Sequence, residues 1–127
     1  MSLKSFLLLN AILFIPFGIG MITMPGMLFP FFGIDLNADG LLMARVFGSA
    51  LANLGLMCFL VRDEIRGSVG MKAILYGNLF FHAIDAFSTG WATYLGTINS
   101  LGLMFTGMHF ILALGFLYFL YSKPHST

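Results

Sequence analysis

Four runs of apolar residues, at about 3–24, 41–61, 69–94 and 100–121, constrain this chain more than any other feature. Crossing bilayer hydrocarbon as an α-helix takes ~20 such residues at ~1.5 Å rise each, and each run is long enough. Hydrocarbon offers no partner to a backbone N–H or C=O, so a segment placed in it closes its own hydrogen bonds as a helix. Composition agrees with that solvent. Only 9% of the 127 residues are charged, against 59% hydrophobic, whereas a soluble domain averages about 25% charged. So few charges do not coat a water-facing surface. The expected fold is all-α, a polytopic membrane four-helix bundle, with residues 1–127 forming a single four-helix transmembrane domain.

The breaks between runs are chemically distinct. Pro25-Gly26 ends the first, and Asn37-Ala38-Asp39-Gly40 precedes the second. Arg62-Asp63-Glu64 stops the second, Arg66-Gly67-Ser68 leads into the third, and Ser122-Lys123-Pro124 ends the fourth. The first run follows Lys4 as a signal peptide would. No A-x-A-like cleavage site comes after it, and it exceeds the usual ~7–15-residue apolar region, so it reads as a retained helix. Lys4, Arg62, Arg66, Lys72 and Lys123 cluster at the N-terminus, the second connection and the C-terminus. The first connection carries only Asp35 and Asp39, and the third carries no charge. By the positive-inside rule both termini and the second connection face the cytoplasm.

Residues 25–34, Pro-Gly-Met-Leu-Phe-Pro-Phe-Phe-Gly-Ile, are too apolar for a free loop and too rich in Pro and Gly to continue the first helix. They read as an interfacial segment across the outer mouth of the bundle, or as a lid for a lipid-like ligand. Trp91, Tyr94 and Tyr121 fall near helix ends, where aromatic belts lie. Pro16 is placed to kink the first helix.

Against this apolar background a few polar side chains stand out. On the third helix Asn78, His82, Asp85 and Thr89 recur at i, i+4, i+7 and i+11, which puts them on one stripe. On the second, Arg45, Ser49 and Asn53 share a face, with Ala44, Gly48, Ala52 and Gly55 close by to admit another helix. The fourth carries Thr106 and His109, and the first only Asn10. A charge in hydrocarbon costs ~2.5–3.5 kcal/mol on the lenient insertion scale, so such groups face a protein interior and find partners. The candidate polar intramembrane network is Arg45, Asn53, Asn78, His82, Asp85 and His109. Arg45 and Asp85 lie in the outer half, within reach of an ion pair, and the guanidinium fork suits a carboxylate. The alternative for Arg45 is to snorkel to the interface. The histidines are core groups bonded across helices, or ligands; Asp85 has no snorkelling route and is the stronger functional candidate.

Several chemistries drop out. The net charge of +1, with scattered basic residues, excludes a nucleic-acid footprint. One cysteine, Cys58, excludes an intrachain disulfide and a multi-Cys metal site. No helix interior carries a lysine for a retinal Schiff base, and no Gly-rich phosphate loop follows a strand. Four readings remain open, one of them an accessory subunit packed against a larger membrane complex, whose polar column only holds its own fold. His82 and His109 on adjacent helices would ligate a haem b from both faces in an electron-transfer protein. His82, Asp85 and His109 would carry protons in a proton-coupled transporter. Or the aromatic interior, with few polar groups, binds an apolar small molecule or lipid.

One part of the chain has a familiar look. A proline-ended first helix, then Met27-Leu28-Phe29-Pro30-Phe31-Phe32-Gly33, a polar turn, and Arg45-Val46-Phe47-Gly48 followed by Asn53-Leu54-Gly55-Leu56 resembles small DoxX-like four-helix membrane proteins, with their P…FG…R-x-x-G…GL pattern. The resemblance covers mainly residues 25–56. It implies a four-helix bundle in the bacterial inner membrane and marks Arg45 and Gly48 as matching positions. It implies no activity, and His82, Asp85 and His109 are not carried over from it. The functional expectation is a small non-enzymatic membrane protein: an accessory subunit of a larger membrane complex or a self-associating unit, or a module that binds an apolar ligand or lipid.

Overall fold

A computed structural model describes residues 1–122, all helix and connection with no strand among them. Lys123, one of the five basic residues used for orientation, lies outside the described residues. The helices are α1 (Leu3–Thr23), α2 (Pro25–Leu28), α3 (Ala38–Val61), α4 (Val69–Tyr94) and α5 (Gly102–Tyr121), with a 3₁₀ turn, Phe29–Phe32, after α2. α1, α3 and α5 are long and apolar enough to cross a membrane, as a membrane protein requires. α4 is longer than any of them but is not among the three. The four spanning runs expected from the sequence thus reduce to three on hydropathy, because Lys72, Asn78, His82 and Asp85 interrupt the apolar run of α4.

Three of the four long helices, α1, α3 and α4, begin where a short polar side chain satisfies an orphan N–H, whereas α5 starts after Leu101 without a side-chain cap. The Ser2 hydroxyl accepts from Ser5 N–H at 3.1 Å, and Ser68 from Met71 N–H at 3.2 Å. Asn37 Oδ1 accepts from Gly40 N–H at 2.8 Å. That cap starts α3 three residues earlier than the apolar run does, so Ala38-Asp39-Gly40 is helix rather than turn. Asp39 in the first turn suits the positive end of the helix dipole. α1 continues through Pro16 and ends at Met24, whose φ of −138° leaves the helical region. Pro25 then opens α2, where its missing N–H costs nothing. Residues 25–32 therefore coil into two short helical turns. Gly33, at φ 74°, stops the second.

The long helices associate as two pairs. α1 and α3 approach closely because small residues face each other. A Cβ added at Gly18 would lie 2.6 Å from Gly48 O, and one at Gly48 would lie 2.6 Å from Met21 Cβ. This is the small-residue contact through which helices pack in lipid. α4 and α5 pair through Thr89 and Thr106, whose hydroxyls are 3.0 Å apart. Large side chains join the pairs. Phe6 of α1 meets Phe116 of α5 edge-on at 4.8 Å, and Phe14 of α1 meets Phe81 of α4 at 5.9 Å. One buried cluster, including Leu7, Leu51, Leu75 and Leu112, draws on all four long helices.

The two ends of the bundle differ in charge. At one end Lys4 pairs with Asp63 at 2.6 Å, and Arg62 Nη1 donates to the Phe59 carbonyl. Arg66 reaches the carbonyls of Phe119 and Ser122, at 2.9 and 2.8 Å, and so caps α5. At the other end the 3₁₀ turn is tied to the α4–α5 connection. Asn99 N–H donates to Phe32 O at 2.9 Å, and Asn99 Nδ2 to Phe31 O at 2.9 Å.

Candidate functional site

A buried chain of polar groups crosses the middle of the bundle. Asn10 of α1 and His82 of α4 are fully buried, and His109 of α5 is 6% exposed. Asn10 Oδ1 lies 3.1 Å from His82 Nε2, His82 Nδ1 lies 2.9 Å from His109 Nδ1, and His109 Nε2 faces Asp85 Oδ2 at 3.8 Å. Aromatic rings enclose the imidazoles. Phe116 stacks on His82 at 5.4 Å and 20°, while Phe14 and Phe81 pack against both histidines.

Donor and acceptor roles follow from one end of this chain. Asn10 Nδ2 donates to Phe6 O at 3.3 Å, which fixes the amide and leaves Oδ1, an acceptor only, toward His82. His82 therefore donates from Nε2. A singly protonated His82 then accepts at Nδ1, so His109 donates from Nδ1. That leaves His109 Nε2 facing Asp85 with a lone pair, and a single proton fits between them. At 3.8 Å the two are in ion-pair range but beyond a hydrogen bond. The array is closed at Asn10, since an amide that donates to a backbone carbonyl passes no proton onward. It is open at Asp85.

The open end meets a cavity of about 550 Å³. Its walls are mostly apolar, with Phe14, Phe17, Phe47 and Phe105 among leucine, isoleucine and methionine side chains. Phe29, Phe32 and Ile34 close it from the connection after α1, and Phe32 packs edge-on against Phe105 at 4.9 Å. Its polar groups come from α4 and α5 alone: Asp85, Ser88, Thr89 and His109. The Thr89 hydroxyl is already used, donating to Asp85 O at 2.6 Å. Among the described residues the Asp85 carboxyl has no hydrogen-bond donor, and its side chain is 22% exposed.

The polar residues singled out in the sequence divide accordingly. Asn78, His82, Asp85 and Thr89 do share the inward face of α4, buried or half-buried. His82, Asp85 and His109 come together. Asn78 stands apart, accepting from the Cys58 thiol at 3.7 Å and donating to Ile74 O at 2.9 Å. Asn53 is exposed, its amide against Met57 Sδ at 3.7 Å, and so lies outside the chain. Arg45 makes no pair with Asp85. Its Nε donates to Ile22 O at 3.3 Å, because the break at Met24 leaves the last carbonyls of α1 without helical donors and α3 lies against that helix. In this arrangement the two rings are not spaced to hold a haem iron between them. An iron bound by both rings would hold their nitrogens ~4 Å apart, from two ~2.0–2.1 Å bonds, whereas the histidines bond directly to each other. Asn10 is the member left out of the expected network. Its signal was in view, as the lone amide in an apolar 21-residue helix.

Comparison with known protein families, with curated proteins and with solved structures finds no match to this chain.

Proposed function

We propose that this chain is a four-helix integral membrane protein whose interior binds an apolar small molecule or lipid. The observation that carries this reading is the apolar cavity of about 550 Å³ with Asp85 and His109 at one wall. Apolar cavities with a few convergent polar groups are the usual form of ligand sites. Binding is non-enzymatic in this reading. α4 crosses the bilayer with the others, because its polar stripe is turned inward. Phe80, Ile84, Phe87 and Trp91, at i, i+4, i+7 and i+11, are 71%, 50%, 71% and 54% exposed and supply a lipid-facing side. The end bearing Lys4, Arg62, Arg66 and Lys72 is cytoplasmic. A bacterial inner membrane location rests on the DoxX-like resemblance. In the fold, both matching positions of that pattern bind α3 to α1: Gly48 by close approach and Arg45 through Ile22 O.

Proton transfer is a second reading, favoured by the His82–His109 hydrogen bond with Asp85 next in line at 3.8 Å. The amide at Asn10 makes it a line with one open end, which fits proton-linked ligand binding better than passage across the membrane.

The test is extraction of small molecules from protein purified out of membranes, read by mass spectrometry. The expected result is a stoichiometric apolar species in the native protein that is lost in Ala92→Phe, which fills the cavity. Equal trace amounts in both would overturn the reading. A reporter fused to either terminus and found outside would overturn the orientation.

A further inference from the structure

We infer that the cavity selects lipophilic amines, with the Asp85 carboxyl as the group that receives the amine N–H. This deepens the ligand-binding reading and rests on it. Three observations lead there. First, Asp85 faces the cavity without a donor of its own, and its one charged-capable neighbour is His109 at 3.8 Å. A carboxylate offers about four lone-pair sites, so the wall is short of donors and rich in acceptors. Second, no lysine or arginine lines the cavity among the described residues, and Arg45, the nearest in sequence register on α3, is committed to Ile22 O. An anionic ligand, such as a fatty acid, would meet the carboxyl with nothing to offset it. Third, the rest of the lining is apolar, with phenylalanines from α1, α3, α5 and the 3₁₀ turn. Such rings accept the hydrocarbon part of a ligand, and their faces attract a positive nitrogen.

A neutral alcohol fits the same shape and donates one hydrogen bond. A protonated amine donates from a charged nitrogen to an acidic group in a water-poor site, where charge-assisted bonds are the stronger class. The group facing Asp85 from a neighbouring element is His109 of α5, and behind it lies His82 of α4, the helix that carries Asp85 itself. α1 presents Asn10 and phenylalanines, and no titratable group of α3 lines the cavity. The asymmetry in charge therefore comes from Asp85.

The experiment uses the full-length protein in detergent and two probes of matched shape, phenylbutylamine and phenylbutanol, with adducts counted by native mass spectrometry. The amine is expected to bind roughly tenfold or more tightly than the alcohol, as one charge-assisted bond implies. Asp85→Asn, of the same size but neutral, is expected to remove that preference while still binding the alcohol. Asp39→Asn, an acidic residue of α3 outside the cavity, is expected to keep it. Alcohol binding by Asp85→Asn shows that the variant is folded. Equal binding of the two probes to the native protein, abolished by Ala92→Phe, would overturn amine selectivity and leave the cavity reading standing. A preference lost equally in Asp39→Asn would overturn it too, as general charge attraction. Absence of both adducts from the native protein would overturn the cavity reading and this inference with it.

Discussion

Replacing Asn10 by leucine tests the central chain most directly. Asn10 is fully buried, and among the described residues its Oδ1 is the only acceptor for His82 Nε2. Leucine has asparagine's branched four-atom skeleton with somewhat more volume, so the change leaves no void. What it removes is an acceptor, and the His82 N–H is stranded among phenylalanine rings. A stranded donor costs about 1–3 kcal/mol in protein interiors. Interhelical hydrogen bonds in membranes average only ~0.6 kcal/mol, with a maximum near 1.7. The lost Phe6 O contact is weak, since that carbonyl keeps its place in the α1 helix. The expected loss is therefore about 1–2 kcal/mol, read from reversible unfolding in mixed micelles titrated with a denaturing detergent. Asn53→Leu, on an exposed face, is the control, expected within about 0.5 kcal/mol of the native protein. Adding His82→Leu to Asn10→Leu removes the stranded group, so the double variant should cost less than the sum of the singles by about 1 kcal/mol. Strict additivity, or equal effects of Asn10→Leu and Asn53→Leu, would refute the hydrogen-bonded chain.

Other consequences are checkable with the same preparation. Nitrogen NMR of the imidazoles should find His82 carrying its proton on Nε2 and His109 on Nδ1; the reverse assignment would break the donor order that starts at Asn10. Gly48→Val should separate α1 from α3 and destabilise by about 1–3 kcal/mol, because its Cβ would meet Met21 Cβ at 2.6 Å. Gly77→Ala, on the open face of α4, should instead be neutral or stabilise by up to about 1 kcal/mol. Asn99→Ala releases Phe31 O from its side-chain donor, and hydrogen exchange over residues 29–34 should quicken while the long helices are unchanged. The Lys4 ammonium, bonded to Asp63, holds that carboxyl below the usual carboxylate range. Because the folded state favours the ionised form, the small stabilisation is present at neutral pH and disappears as pH falls through the depressed value. The melting difference between native protein and Asp63→Asn should therefore close in strong acid.

Much of the architecture is written locally. Helix positions follow from runs of apolar residues and from caps such as Ser2 and Ser68, which act within one turn. The one early start, at Ala38, shows the same physics, since the Asn37 side chain reaches its own helix. The stripe of Asn78, His82, Asp85 and Thr89 is likewise a matter of 3.6-residue periodicity. Partners are a different question. Whether Asp85 meets Arg45 or His109 depends on which helices lie side by side and how they are rotated, and periodicity on a single helix carries no such information. Small residues bring α3 against α1, so Arg45 goes to the carbonyls that the break at Met24 leaves open. α5 lies against α4, so His109 reaches both His82 and Asp85. The cavity depends on still more, because its walls come from all four long helices, from the 3₁₀ turn and from Ile34 and Ile98 in the connections. The long helices and their polar faces are settled by neighbours along the chain, and are legible there. Only the tertiary structure decided that the polar groups form one line with a single open end, since that depends on contacts between residues as distant as Asn10 and His82.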